Sequence, residues 1–256
     1  MIPAVIVICV EVQAHRKREQ MAKQNRKELF PDPNEADAQG LVAVGGTLDS
    51  STLAEAYRQG IFPWPTQGLP MLWFSPDPRA IIDFDDFHLP RSFLKWKKKF
   101  AQEFHLTVNK DFESVIRACA QQPRPGQAGT WITEEIVQAY SLCFQQGWAY
   151  SIEIWKNQSA PNEKNYHHEK NHHPVLVGGL YGILQPNYAS AESMFHHESN
   201  CSKLALQAAV DFLKTRGYRW VDIQMLTEIT KSFGGKEIPR RNFLNKIQIS
   251  KQNPEF

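Results

Sequence analysis

Hydrophobic residues recur at helical spacing in several stretches of the chain. The clearest lies between residues 111 and 121, where Phe112, Val115, Ile116 and Cys119 fall on one face. Asp49 or Ser50 caps a helix that Gly60 ends, and Thr133 caps another that Gly147 ends. The predicted helices cover residues 50–59, 90–100, 111–121, 133–146 and 202–215.

Between these helices lie short apolar or alternating runs that predict strands. They cover residues 40–46, 104–108, 149–155, 175–184, 188–195 and 218–224, with a tight turn at 185–187. Helices that flank an antiparallel meander, followed by one more helix and strand, predict an α+β fold. Prolines between Pro63 and Pro76 exclude a helix there. We therefore expect a small N-terminal domain over residues 1–80, loosely ordered over 1–29, and a larger domain over 81–256.

The composition is that of a soluble globular protein, with 42% apolar and 22% charged residues. A net charge of only +2 gives no global field that would mark a nucleic-acid-binding protein. One helix is nevertheless locally basic and contains no acid, so it is either a phosphate-binding surface or a solvated helix face. Its cations are Arg91, Lys95, Lys97, Lys98 and Lys99.

Cysteine and histidine positions do not predict a metal site or a disulfide framework. The four cysteines are scattered, which suits a reducing cytoplasm. The histidines of the segment 156–173 lack accompanying ligands at metal spacing, so we interpret it as a solvated insertion. The apolar run Ile2 to Val12 is too short to cross a bilayer. Glycine-rich nucleotide loops, serine elbows and zinc-protease motifs are absent from the sequence, so we expect no cofactor.

Two acids are candidates for chemistry because each interrupts an apolar strand. Asp222 and Gln224 are two residues apart, so strand alternation predicts that they face the same side. Glu192 lies in another extended stretch. Carboxylates on neighbouring strands would form a pocket for a cationic substrate, although both acids could instead face solvent on the sheet.

Two tryptophans lie in loops and not within apolar runs. Trp64 is flanked by prolines, and Trp131 follows Gly129 and precedes a helix cap. A tryptophan held in this way suits stacking on a flat ligand such as a base, and the alternative is an ordinary core position.

Taken in order, the short blocks resemble those of the leucyl/phenylalanyl-tRNA–protein transferase family. The resemblance runs from about Phe30 to about Asn245, and the ordered set is more specific than any one block. The blocks are GLVAVGG (40–46), AYRQGIFPW (56–64), WFSPDPR (73–79), GTWIT (129–133), VGGLYG (177–182), ESMF (192–195), SK (202–203), DIQ (222–224) and IPR (238–240).

This resemblance implies a C-terminal domain related to the GNAT acyltransferase fold and a smaller N-terminal domain. It implies transfer of Leu or Phe, with Met also open, from aminoacyl-tRNA to the N-terminal Arg or Lys of a protein, by a cytoplasmic monomer that needs no membrane. It places Asp222 and Gln224 at the reaction centre and Glu192 on the acceptor. The other implied contacts are with the terminal adenosine (Trp64 and Trp131, with Tyr57 and Tyr140 nearby), the transferred side chain (Leu180 and Met194) and the acceptor stem (Arg91, Lys95, Lys97, Lys98 and Lys99).

Two other functions remain open from the sequence. An acetyl-CoA-dependent GNAT enzyme would need a glycine-rich loop before a helix, but the loop from His196 to Cys201 has no glycine. A non-catalytic tRNA-binding module would bind tRNA without transfer. Ala209 replaces a larger residue of the family's side-chain pocket, which leaves the preference between Leu and Phe open.

Overall fold

The computed structural model describes residues 29–123, 129–157 and 174–252. The predictions made for residues 1–28 and for the histidine-rich segment 156–173 lie outside these ranges, apart from residues 156 and 157 of that segment. In the described parts, no helix is both long enough and apolar enough to cross a bilayer.

The helices begin and end close to their predicted bounds. Asp49 caps the first by accepting the amide of Thr52 at 2.8 Å, and Thr133 caps the fourth through Ile136. Two C-terminal helices, one of 5 and one of 13 residues, were not predicted from the sequence. The helices are α1 (Ser50–Arg58), α2 (Arg91–Phe100), α3 (Phe112–Gln121), α4 (Glu134–Gln145), α5 (Cys201–Thr215), α6 (Glu228–Ser232) and α7 (Arg240–Gln252).

The strands form three sheets, and four of the strands, β2, β3, β4 and β11, were not predicted. The first sheet has the order β1-β3-β2, the second β11-β4-β10-β8 and the third β5-β6-β7-β9. Their bounds are β1 (Leu41–Val44), β2 (Phe62–Pro63), β3 (Leu72–Phe74), β4 (Arg79–Asp83), β5 (Phe104–Val108), β6 (Ala149–Asn157), β7 (Pro174–Ile183), β8 (Ala189–Ser190), β9 (Ser193–His196), β10 (Trp220–Gln224) and β11 (Lys236–Ile238).

The prediction of a single strand over residues 188–195 is wrong. The segment is divided between two sheets, since β8 runs parallel to β10 and β9 runs antiparallel to β7. Gly182 of β7 makes the close approach of β8 possible, because a Cβ there would lie 1.9 Å from the carbonyl oxygen of Ser190. An alternating apolar pattern gives no sign of such a division, because each half keeps the strand period.

Two large buried clusters and two smaller ones form the core of the described residues. The first joins the three-stranded sheet and α1 to α3, α4 and part of β7, so residues before and after position 80 share one core. The second places α5 against both larger sheets, with Leu206, Ala209 and Val210 buried. The α+β expectation is confirmed. Consecutive strands β8 and β9 belong to different larger sheets, and Glu192 lies in the short segment between them.

Candidate active site

The backbone amides of Ala191 and Glu192, which are adjacent in the chain, form hydrogen bonds with strands of two different sheets. The amide of Ala191 donates to the carbonyl of Asp222 on β10 at 2.8 Å, and the amide of Glu192 donates to Tyr181 on β7 at 2.9 Å. Glu192 is thereby fixed at the seam, with its side chain facing the gap that the two sheets leave.

The Glu192 carboxylate is surrounded by donors. Its Oε1 accepts Ser190 Oγ at 2.5 Å and Gln224 Nε2 at 2.9 Å, and Tyr57 also bonds to the group. Burial raises the pKa of Glu192 to about 7, and the charge of Asp222 adds to the rise. The hydrogen bonds from Ser190 and Tyr57 and the charge of Arg79 oppose it. Glu192 therefore changes its charge near neutral pH.

Gln224 occupies a strained turn at the end of β10. Its φ is +54°, a conformation that residues other than glycine rarely adopt, and Met225 N donates to Ile223 O at 2.6 Å. The register of β10 against β4 also shifts between Asp222 and Gln224. The prediction that simple strand alternation sets the two side chains on one side is therefore wrong. The left-handed turn directs the side-chain amide of Gln224 to the Glu192 carboxylate.

Asp222 lies behind the cavity and does not line it. Its side chain is fully buried and forms two hydrogen bonds with Arg79 of β4, at 2.9 and 2.6 Å. Its Oδ1 also accepts the backbone amide of Gln224 at 3.0 Å. Sequence analysis missed Arg79 because the family blocks supply no role for it. An arginine directly before the apolar run 80–82 was the available signal, since such a charge needs a buried partner.

A cavity of about 430 Å³ opens beside Glu192 and Gln224. Its apolar wall includes Leu180, Met194 and Leu206, and its aromatic rim includes Trp64 and Trp131. Of the predicted site residues, the structure brings Glu192, Gln224, Leu180, Met194, Trp64 and Trp131 to this one space. Ala209 is buried below the wall. An apolar space that ends in one carboxylate and one amide can hold an apolar group next to a cation.

The two tryptophans stack on each other. Their ring centroids are 5.3 Å apart with an interplanar angle of 17°, and Trp131 is the more buried. A base between them would need a separation of about 7 Å, twice the usual contact distance. A flat ligand would therefore stack on the outer face of the pair and not between the rings.

Tyr57 and Tyr140 are fully buried and do not line the cavity. Their hydroxyl groups bond to each other, and Tyr57 also bonds to Glu192. The structure therefore places this pair under the carboxylate, as support for Glu192 from α1 and α4.

The predicted basic helix is α2, and its cations are unequal. Arg91, Lys95, Lys98 and Lys99 are exposed, whereas Lys97 Nζ donates to Gln207 of α5 at 3.0 Å. The buried Phe93 packs on Phe233 with ring centroids 5.4 Å apart, just after α6. Ile229 and Thr230 of α6 line the cavity, so α2 packs against the end of a helix that contributes to the cavity wall.

A second groove of about 540 Å³ lies between α1, α7 and the segment around Asp32. Its lining includes Glu55, Arg58 and Leu244, and it contains none of the predicted site residues. We assign no chemistry to it.

Comparison with known proteins gives a consistent family. The family model described as leucyl/phenylalanyl-tRNA protein transferase matches residues 81–248, and the model of that family's N-terminal domain matches residues 46–77. A leucyl/phenylalanyl-tRNA–protein transferase of Maridesulfovibrio salexigens is 39% identical over 88% of this chain and 87% of the relative. One from Pectobacterium atrosepticum is 44% identical over 85% of each chain.

Solved structures give a weaker likeness. A tandem GNAT protein from the clavulanic acid biosynthesis pathway matches 88% of this chain and 65% of its own, with 14% identity and a TM-score of 0.36. An overlap of this size supports no inference about the site.

Proposed function

The chain belongs to the leucyl/phenylalanyl-tRNA–protein transferase family, and from this premise we propose that it transfers leucine or phenylalanine from aminoacyl-tRNA to a protein. The acceptor is the N-terminal Arg or Lys of that protein, and the product is a degradation signal of the bacterial N-end rule pathway. The observation that carries the proposal is the cavity that joins an apolar wall to the Glu192–Gln224 pair.

The reaction needs alignment more than it needs a strong base. An aminoacyl ester is already activated, and an α-amine with a pKa of about 7.7–8.0 is partly neutral at pH 7. Holding amine and ester carbonyl about 3–3.5 Å apart contributes several kcal/mol to lowering the barrier. We assign this alignment to Gln224, held by Asp222, and assign recognition of the cationic acceptor to Glu192.

The apolar wall accounts for the choice of transferred residue. Leu180, Met194 and Leu206 provide no partner for a charged side chain. One methylene is worth only about 1–3 kcal/mol in such a pocket, so Leu and Met are separated weakly while charged groups are rejected strongly. The terminal adenosine of the tRNA stacks on Trp64, with Trp131 behind it.

The deciding experiment is a transfer assay with the full chain, labelled Leu-tRNA or Phe-tRNA, and a peptide that begins with Arg. We expect label in that peptide and none in the same peptide with an acetylated N-terminus, because acetylation removes the nucleophilic amine. The label is measured by mass spectrometry. Binding of charged tRNA without any transfer would instead support a tRNA-binding module.

The exposed lysines of α2 are proposed to contact the acceptor stem. Changing Lys95 and Lys99 together to Ala should weaken tRNA binding about three- to tenfold and reduce the salt slope by about 0.7–0.9 per lost phosphate contact. Filter binding at several salt concentrations measures both quantities. Lys110 and Arg241 are exposed elsewhere, and their double Ala variant removes equal charge. An equal loss of tRNA affinity in both double variants would show that α2 is an ordinary solvent-exposed helix with no specific contact to tRNA.

A further inference from the structure

Arg79 is a fully buried cation that the proposed steps do not use. Its Nε and Nη2 donate to the two oxygens of Asp222, and its guanidinium lies 4.7 Å from the Phe62 ring centroid and 4.5 Å from that of Phe243. Ion pairs this deeply buried contribute little net stability, because desolvation offsets much of the attraction. The geometry that the pair imposes is therefore the more informative property.

That geometry extends from Arg79 into the cavity. Asp222 Oδ1 accepts from Arg79 Nε and also from the backbone amide of Gln224. This second bond restrains Gln224 in its left-handed turn. From that turn the Gln224 side chain reaches Glu192 at 2.9 Å. Both oxygens of Asp222 are fixed by a rigid fork, which a single flexible ammonium would not achieve.

We propose that Arg79 is a positioning residue for the transfer reaction. Through Asp222 it holds the backbone turn at Gln224, and this turn directs the Gln224 side-chain amide toward the amine of the acceptor protein. This inference rests on the proposed function. Arg79 does not line the cavity, so its effect on the reaction passes through Gln224.

Arg79→Lys tests the proposal because it keeps the charge and removes the fork. We expect kcat to fall about 10- to 100-fold, with KM for both substrates within about twofold. Arg240→Lys is the matched control. Arg240 is also largely buried and donates to the carbonyl of Ser75 at 2.8 Å, but it bonds to no residue of the site. A loss of stability with unchanged kcat is expected there, and equal falls in kcat in both variants would overturn the proposal.

A second measurement does not depend on transfer. NMR titration of protein labelled at the Glu side-chain carboxyl carbons follows Glu192. Its midpoint should rise in Arg79→Lys, because the Gln224 donor is displaced, and should stay unchanged in Arg240→Lys. Unchanged midpoints in both variants would overturn the positioning role, whether or not the wild type transfers an amino acid.

Should Arg79→Lys fail to fold, a double variant keeps the proposal falsifiable. Arg79→Met with Asp222→Leu replaces the buried pair by apolar groups, which proteins often tolerate. We expect this variant to fold and to lose transfer. A folded double variant with wild-type kcat would overturn the proposal.

Discussion

Replacing Asp222 with alanine is expected to lower the free energy of unfolding by about 3–5 kcal/mol, because it leaves the buried Arg79 without its counter-ion. It should also lower kcat/KM for transfer about 100-fold in the fraction that remains folded. In that fraction the backbone amide of Gln224 no longer has the Asp222 carboxylate as its hydrogen-bond partner. The Gln224 side chain, and with it the reacting groups, is therefore misplaced. Urea unfolding and transfer assays at low temperature separate the two effects.

Asp83 provides a matched control on the adjacent strand. It also pairs with cations, Lys236 and Lys246, but it is 24% exposed and far less of its charge must be desolvated. Asp83→Ala should cost no more than about 1 kcal/mol and leave kcat unchanged. If Asp222→Ala proved as stable and as active as Asp83→Ala, neither the buried pair nor the turn would have the importance assigned to it.

Glu192→Gln is expected to lower kcat/KM for an Arg-initiated acceptor about 10- to 150-fold, which corresponds to about 1.5–3 kcal/mol for a lost charged hydrogen bond. The affinity for aminoacyl-tRNA should not change. The nearby Glu198→Gln is the control, since Glu198 pairs with Lys156 and does not line the cavity. An equal effect of both substitutions would contradict acceptor recognition by Glu192.

The pH profile gives Glu192→Gln a second signature. Because the pKa of Glu192 is raised to about 7, the carboxylate form increases as pH rises through neutrality. The acceptor amine loses its proton over a slightly higher range. Below pH 6.5, log kcat/KM should rise with a slope of about two in the wild type and about one in the variant. Identical slopes would mean that ionised Glu192 is not required.

Stability provides an internal check on that variant. A pKa raised in the folded state means that ionisation of Glu192 opposes folding, so stability is lost as pH rises from about 4.5 to about 7. Glu192→Gln should accordingly be at least as stable as the wild type at pH 8. Loss of transfer in this variant cannot then be attributed to unfolding.

Local signals in the sequence were enough for the five helices up to residue 215. The caps at Asp49 and Thr133 and the apolar spacing of residues 111–121 depend on nearest neighbours along the chain, which a sequence displays directly. Six of the predicted site residues line one cavity although 160 positions separate Trp64 from Gln224, so local patterns and the ordered blocks together selected residues that are close in space.

The remaining features depend on contacts between distant segments. The division of residues 188–195 between two sheets requires both Tyr181, across the preceding turn, and Asp222, 31 positions after Ala191, as partners. Arg79 acquires its partner across 143 positions. The positive φ of Gln224 is imposed by tertiary contacts against the preference of glutamine, so propensity alone predicts the opposite. The hydrophobic pattern along the chain carries no information about these long-range contacts.

The assignment of Ala191 and Glu192 to different sheets has a consequence for redesign of this enzyme. Adding or deleting one residue between Ser190 and Ser193 would reverse which amide meets which strand and turn the carboxylate out of the gap. The number of residues between Ser190 and Ser193 should therefore be kept unchanged in redesigned variants. Side-chain volume along the wall at Leu180, Met194 and Leu206 shapes the cavity, so libraries that seek new transferable amino acids belong there, with the stability of each variant measured because Leu180 and Leu206 are also buried in the core.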